Sequence, residues 1–132
     1  MSRFLIAALA GLTALFVQAF GGAIEGYIYP VTEATMITRA ERDTDAWTRI
    51  WGQAARRRAC SFQRLEWRLG DDRAFSVVDL VFEEGAKVRG DGTFEFGPWL
   101  LHLSPDQLRN RSYAIVYHRC HWLWLTQTRF YR

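Results

Sequence analysis

The sequence predicts an all-β domain, a small antiparallel β-sandwich behind an N-terminal hydrophobic helix, and three observations support this. The chain has 132 residues, enough for one domain. Hydrophobic residues make up 49% of it, which permits a packed core and excludes a wholly disordered chain. Beyond residue 33, short β-rich segments alternate with turn signals. Six or seven strands are therefore expected over residues 34–132, the pattern of a sandwich or barrel.

Residues 1–24 are predicted to be a signal peptide or a single-pass membrane anchor. Between Arg3 and Glu25 lie 21 residues without a charge. In a cleaved signal peptide, residues 17–19 form the small-residue cleavage site. In an uncleaved anchor, the same stretch spans roughly 30 Å, about one hydrocarbon core. A buried helix of a soluble protein fits less well, because Thr13 and Gln18 are the only polar side chains.

Both leading interpretations place the rest of the chain in the periplasm or outside the cell, either secreted or anchored in the inner membrane. Arg3 precedes the apolar stretch and Glu25 follows it, which agrees with the positive-inside rule. The two cysteines, Cys60 and Cys120, both lie in the exported part. In an oxidising compartment they are expected to form a disulfide, with two free buried thiols as the alternative.

The first elements after the apolar stretch have weak local signals. Residues 25–33 are predicted to be an extended connector, because Pro30 keeps the preceding residue out of a helix. Residues 34–38 are β-compatible, and residues 39–45 resemble a charged loop. Residues 45–58 are ambiguous: Trp47 and Trp51 alternate as in a strand, whereas Asp43 or Thr44 could cap a helix. A strand is favoured.

The later strands have clearer signals. Residues 75–83 are rich in β-branched and aromatic side chains, and Gly97-Pro98 predicts a bend or bulge in the strand that contains it. Residues 70–72 and 89–92 are turn signals, and residues 104–107 indicate a turn or one short helical turn. The strands are predicted at residues 60–69, 75–83, 93–103, 112–120 and 122–131.

The strand number and the cysteine spacing are immunoglobulin-like in outline. Two details depart from that class. His118, and not a tyrosine, lies two residues before Cys120, and Trp67 is too near Cys60 to be the usual core tryptophan. The prediction is therefore limited to sandwich architecture.

Catalytic chemistry is not expected. Ser104, Ser112, His102 and Asp106 lie close in sequence, but no nucleophile elbow surrounds either serine. The sequence predicts neither an enzyme nor a cofactor.

Metal binding is also not expected. The alternative is a site formed by His102, His118 and His121, since imidazoles are good zinc and copper ligands. On a strand, however, His118 and His121 would point to opposite faces.

A protein partner is the expected ligand, and nucleic acid is not expected. The net charge is +3, but residues 60–100 carry eight acidic and five basic side chains, whereas residues 101–132 carry one and five. Tryptophan and arginine are common in interface hot spots. If residues 122–131 form a strand, Trp122 and Trp124 share one face. The predicted contact residues are Trp122, Trp124, Arg119 and Arg129.

The favoured function is a non-catalytic, protein-binding module of an envelope or cell surface, exported or anchored in the membrane. One alternative is a small secreted metal-binding protein or enzyme that uses the C-terminal histidines. Another is a single-pass accessory protein of a bacterial or phage membrane system.

Overall fold

The computed structural model describes residues 2–83 and 92–132. Within them the chain forms two helices and eight strands. The elements are α1 Arg3–Ile28, β1 Met36–Arg42, β2 Thr48–Arg56, β3 Ser61–Gly70, β4 Phe75–Val78, β5 Leu80–Phe82, β6 Gly92–Leu101, α2 Pro105–Arg111, β7 Ser112–Arg119 and β8 Thr126–Tyr131.

The strands form two four-stranded antiparallel sheets. The first sheet has the order β1-β2-β6-β5, and the second has the order β4-β3-β7-β8. The predicted sandwich behind a helix is confirmed. The strand count rises to eight because the predicted strand at residues 75–83 is divided at Asp79: β4 pairs with β3 in the second sheet and β5 with β6 in the first.

The core lies between the sheets, and aromatic side chains from both sheets meet in it. Trp99 of the first sheet stacks on Phe96 with ring centroids 4.3 Å apart and on Phe130 of the second sheet at 5.9 Å. Trp67, Trp99 and Ile50 are fully buried. Their burial follows from the alternation of side chains along each strand, which directs every second residue between the sheets.

The segment at residues 45–58, for which strand and helix were both considered, forms the strand β2. In β2, buried and half-buried residues alternate from Thr48 to Ala54, as side chains do along a strand. β2 is paired on both sides, by β1 and by β6. The charged loop predicted for residues 39–45 is wrong as far as Arg42, which ends β1. Only one edge of β1 is paired, and exposed charged residues are common on such edge strands.

The predicted irregularity at Gly97-Pro98 is confirmed. The register between β2 and β6 shifts there, where Ile50 pairs with Trp99 and Gly52 with Phe96. The short helical turn is longer than predicted: α2 has seven residues and begins with a capping box between Ser104 and Gln107. The turn predicted at residues 89–92 lies outside the described residues, apart from the glycine that begins β6.

Two predictions near the ends of the domain are wrong. Residues 25–28 belong to α1 and not to an extended connector. Residues 122–125 are not a strand, since β8 begins only at Thr126. In both cases the physical reason is the same contact, because the end of α1 packs against residues 124–127.

Candidate functional site

Most of α1 is a bare apolar helix. It is long and apolar enough to cross a membrane, and only 6% of its most apolar 18-residue window is buried in the protein. The exposed large side chains before Gly21 are Phe4, Leu5, Ile6, Leu9, Leu12, Leu15, Phe16, Val17 and Phe20. An exposed apolar surface of this extent requires a membrane or a protein partner.

The last two turns of α1 pack closely on the sandwich through three buried glycines. A Cβ atom on Gly21 would lie 2.8–2.9 Å from ring carbons of Trp124. A Cβ atom on Gly22 would overlap the carbonyl oxygen of Leu125, and one on Gly26 would overlap that of Gln127. The helix backbone therefore lies directly against the chain that leads into β8, an approach that only glycine permits.

Glu25 is the polar centre of this contact. Its Oε1 accepts a hydrogen bond from Arg58 Nη2 at 2.8 Å. Its Oε2 accepts from Trp124 Nε1 at 2.7 Å and from Thr126 Oγ1 at 2.9 Å. The Glu25 and Arg58 side chains are only 17% and 16% exposed. A half-buried charge needs such partners, so the network holds the helix in one orientation.

His121 completes the network around the carboxylate. Its Nε2 lies 2.9 Å from Glu25 Oε2, and its Nδ1 accepts a hydrogen bond from Leu123 N at 3.2 Å. A carboxylate only accepts, so the tautomer with the proton on Nε2 satisfies both contacts. We refer to the contact formed by Gly21, Gly22, Glu25 and Gly26 with Arg58 and residues 121–127 as the helix–sandwich junction.

The predicted disulfide is confirmed, since Cys60 and Cys120 are bonded. Cys60 precedes β3 and Cys120 follows β7, and these strands are neighbours in the second sheet. The bond therefore joins two strand ends of one sheet, whereas an immunoglobulin disulfide joins two sheets. It lies beside the helix–sandwich junction, because His121 follows Cys120 directly.

The three histidines lie in three different environments. His102 stacks on Trp47 with ring centroids 4.8 Å apart, and His121 contacts Glu25. His118 is buried, and its Nδ1 has no hydrogen-bond partner among the described residues. Over the same residues, no group of three or more His, Cys, Asp or Glu side chains is arranged to hold a metal ion.

Burial sets the protonation state of His118. It lowers the pKa of His118 from 6.5 to about 4, and the nearby positive charges of Arg56 and Arg58 lower it further in the same direction. His118 is therefore neutral in the folded protein near neutral pH.

The outer surface of the second sheet carries arginines stacked on aromatic rings. Arg64 lies 3.8 Å from the ring centroid of Tyr117, Arg68 lies 4.0 Å from that of Phe75, and Arg129 lies 4.5 Å from that of Tyr113. Beside them on β4, Val77 is 63% exposed. We call the part of this surface formed by Arg68, Phe75, Val77, Tyr113 and Arg129 the arginine–aromatic face.

A second exposed surface lies where α1 leaves the sandwich. Trp122 is 84% exposed, and Leu123 and Phe62 are also exposed. Gln18 Nε2 donates to the carbonyl of Leu123 at 2.9 Å, which places this loop beside the apolar helix. Arg64 and Arg119 line the same open cleft as Gln18 and Trp122. We call Phe62, Arg64, Arg119, Trp122 and Leu123 the rim.

The four predicted contact residues are distributed over three places. Trp124 belongs to the helix–sandwich junction, Arg129 to the arginine–aromatic face, and Trp122 and Arg119 to the rim. The sequence reasoning missed Glu25 and the glycines. The signal that could have indicated this contact was the group of three glycines near the end of the helix, with one carboxylate among them.

No protein-family model, curated protein or solved structure matches this chain.

Proposed function

We propose that this chain is a single-pass membrane protein whose sandwich lies on the periplasmic or extracellular surface and binds another protein without catalysis. The observation that carries the proposal is the helix–sandwich junction. It makes the end of the apolar helix a part of the folded domain.

The junction favours an anchor over a cleaved signal peptide. A cut after Ala19 would fall inside a continuous helix, one turn before Gly22 and next to the Gln18 contact with Leu123. The exposed apolar residues 4–20 extend over roughly 25 Å at 1.5 Å per residue, close to the thickness of the hydrocarbon core. This length lets the helix cross the membrane while Glu25 stays in the domain.

The disulfide and the charge pattern support the non-cytoplasmic side. Disulfides persist in oxidising compartments, and the Cys60–Cys120 bond is in the sandwich. Arg3, the charge at the other end of the helix, would stay on the cytoplasmic side.

The arginine–aromatic face supports binding of a protein with an acidic and partly apolar surface. Arg68 and Arg129 lie over aromatic rings and are paired with Glu66 and Asp72, so they have already lost conformational freedom. Arg129 is 43% exposed, so a partner carboxylate can reach it at a reduced cost in entropy. Phe75 and Val77 add exposed apolar area next to these charges. Aromatic and arginine side chains of this kind are typical of interface hot spots.

Membrane anchoring is tested by washing native membranes with alkaline carbonate and measuring the mass of the retained chain. The expected result is a chain that resists extraction and keeps its N-terminal residues. A chain that starts at Phe20 and is released from the membrane would contradict the anchor.

Partner binding is tested by quantitative cross-linking in native membranes with Val77→Asp and a matched control, Val81→Asp. Both valines are exposed, but Val77 lies in β4 of the second sheet and Val81 in β5 of the first. A partner cross-linked to the wild-type chain should be lost in Val77→Asp and kept in Val81→Asp. Equal retention, with both variants folded and oxidised, would exclude this face.

A further inference from the structure

We infer that the rim is a membrane-docking surface: Trp122 and Leu123 enter the headgroup region of the bilayer, and Arg64 and Arg119 bind lipid phosphates. The inference rests on the proposed anchoring of α1. It adds that the sandwich lies against the bilayer in one orientation and does not project from it on a flexible stalk.

The depth of the rim follows from the way the chain runs beside the helix. Leu123 contacts Gln18, Trp124 packs on Gly21, and Leu125 and Gln127 pack on Gly22 and Gly26. Residues 123–127 therefore run alongside helix residues 18–26 in the same direction. Trp122 is next to Leu123 and lines the same cleft as Gln18, so it lies near the level of Gln18.

Just beyond that level the helix first packs on the sandwich, because Gly21 and Gly22 are buried. Phe16, Val17 and Phe20 are exposed around Gln18, and Glu25 is the first charge after Arg3. If the exposed apolar residues fill the hydrocarbon core, Gln18 lies at its edge and Trp122 lies at headgroup depth. Tryptophan is enriched at that depth because its ring is apolar and its N–H is polar.

The charges of the rim complement lipid phosphates. Arg119 is exposed and has no carboxylate partner in the part of the chain that the structure describes. Arg64 is 54% exposed and lies over the Tyr117 ring, and its Nε is 3.8 Å from Glu66 Oε2. Phe62 lies on the neighbouring strand end, opposite His118. An exposed apolar tip flanked by arginines is an arrangement that binds the membrane interface.

The test reconstitutes the full-length chain into phosphatidylcholine vesicles whose lipids carry bromine near the headgroup end of the acyl chain. Bromine quenches tryptophan fluorescence on contact. Trp122→Phe is compared with the control Trp47→Phe. Trp47 stacks on His102 and precedes β2 at the end opposite Arg56, the residue that bridges to Thr32 just after α1. Vesicle flotation first shows whether each variant is inserted.

The expected result is that Trp122→Phe loses much of the quenching and Trp47→Phe loses none. Arg119→Glu should reduce the quenching, and Arg119→Lys should restore it. Quenching that is unchanged in Trp122→Phe, in protein that floats with the vesicles, would overturn the docking of the rim. Quenching that is unchanged in Arg119→Glu would overturn the phosphate contact. A chain that fails to float would instead contradict the anchor, and the rim inference would fail with it.

Discussion

The two parts of α1 share a helical backbone and exposed apolar side chains, but only the second packs closely on the sandwich. Residues 3–20, the free part, expose leucine, phenylalanine and valine side chains and bury almost nothing. Residues 21–28, the docked part, bury Gly21, Gly22 and Gly26 and hold Glu25 in four polar contacts. A single helix thus has one part suited to lipid and one part that belongs to a folded domain.

In this chain, the folded domain begins before the apolar stretch ends. The charge-free stretch continues to residue 24, but the contacts with the sandwich begin at Gln18 and Gly21. A helix that crosses this boundary without a break transmits its orientation to the domain. The following experiments separate the two parts, from the largest expected effect to the smallest.

Loss of the disulfide should have the largest effect, and it should affect only the docked side. Replacing Cys60 and Cys120 with serine releases a constraint on a loop of about 60 residues, worth about 4 kcal/mol of unfolding free energy in the chain-entropy model. Thermal unfolding of the full chain in detergent measures this loss. The free part should stay helical in the micelle, because its hydrogen bonds are internal. Dithiothreitol should destabilise the wild type and leave the double variant unaffected.

Glu25→Ala should remove the polar centre of the docked part. It leaves Arg58 and Trp124 Nε1 half-buried without their acceptor, and breaking a buried charge pair costs about 3 kcal/mol. The control is Glu41→Ala, which breaks the exposed Arg39–Glu41 pair on β1 and should cost only a few tenths of a kcal/mol. Urea unfolding of both variants gives the comparison. An equal, small effect of both would show that the helix is not held by Glu25.

Gly26→Leu and Gly11→Leu compare the two parts with the same substitution. A side chain on Gly26 would overlap Gln127, whereas a Cβ atom on Gly11 has no neighbour within 4 Å. Overpacking of this kind costs about 2 kcal/mol. We expect a lower melting temperature for Gly26→Leu only. If Gly11→Leu were equally destabilised, the free part would have an unrecognised protein contact.

Acid should destabilise the folded protein through His118, which pairs in register with Thr126 of the helix–sandwich junction. The pKa of His118 is depressed to about 4 in the fold and returns to 6.5 on unfolding. Above pH 6.5 both states are neutral, so there is no effect. Below it, the unfolded state binds a proton that the folded state does not, and stability falls until about pH 4. From pH 7 to pH 5 the loss is about 2 kcal/mol.

His118→Gln is the matched test of this pH dependence. Glutamine is polar and neutral at all these pH values, so the part of the acid destabilisation that belongs to His118 should disappear. Melting temperatures of both proteins between pH 7 and pH 5 measure the difference. Parallel curves would show that His118 is not the group that titrates.

The predictable part of the fold is the part with local signals. Alternation along β2 and around Trp67 predicts strands because every second side chain enters the core. Gly97-Pro98 marked the bulge, since proline removes a ladder hydrogen bond. The extended connector at residues 25–28 and the strand at residues 122–125 were wrong, because the glycines of α1 pack on residues 124–127. Neither local sequence contains a signal for this long-range contact.

The sequence predicted which residues contribute to exposed or buried contacts, but not how these residues are arranged. Trp122, Trp124, Arg119 and Arg129 were selected as one patch from residue type and strand alternation. Trp124 instead donates to Glu25, 99 residues away in sequence, and Arg129 lies over Tyr113. The alternation argument failed because residues 122–125 follow the helix and have no strand partner.

Composition and local periodicity alone establish an apolar N-terminal helix, a β-rich domain and a cysteine pair. The helix and the strands are predictable because they follow from the polarity of side chains at neighbouring positions in the sequence. The tertiary structure decided where the apolar helix stops being free, which sheet each half of residues 75–83 joins, and which donors surround Glu25. These depend on contacts between distant segments, because a buried carboxylate or a bare glycine backbone is stable only against the particular surface that the whole fold brings to it.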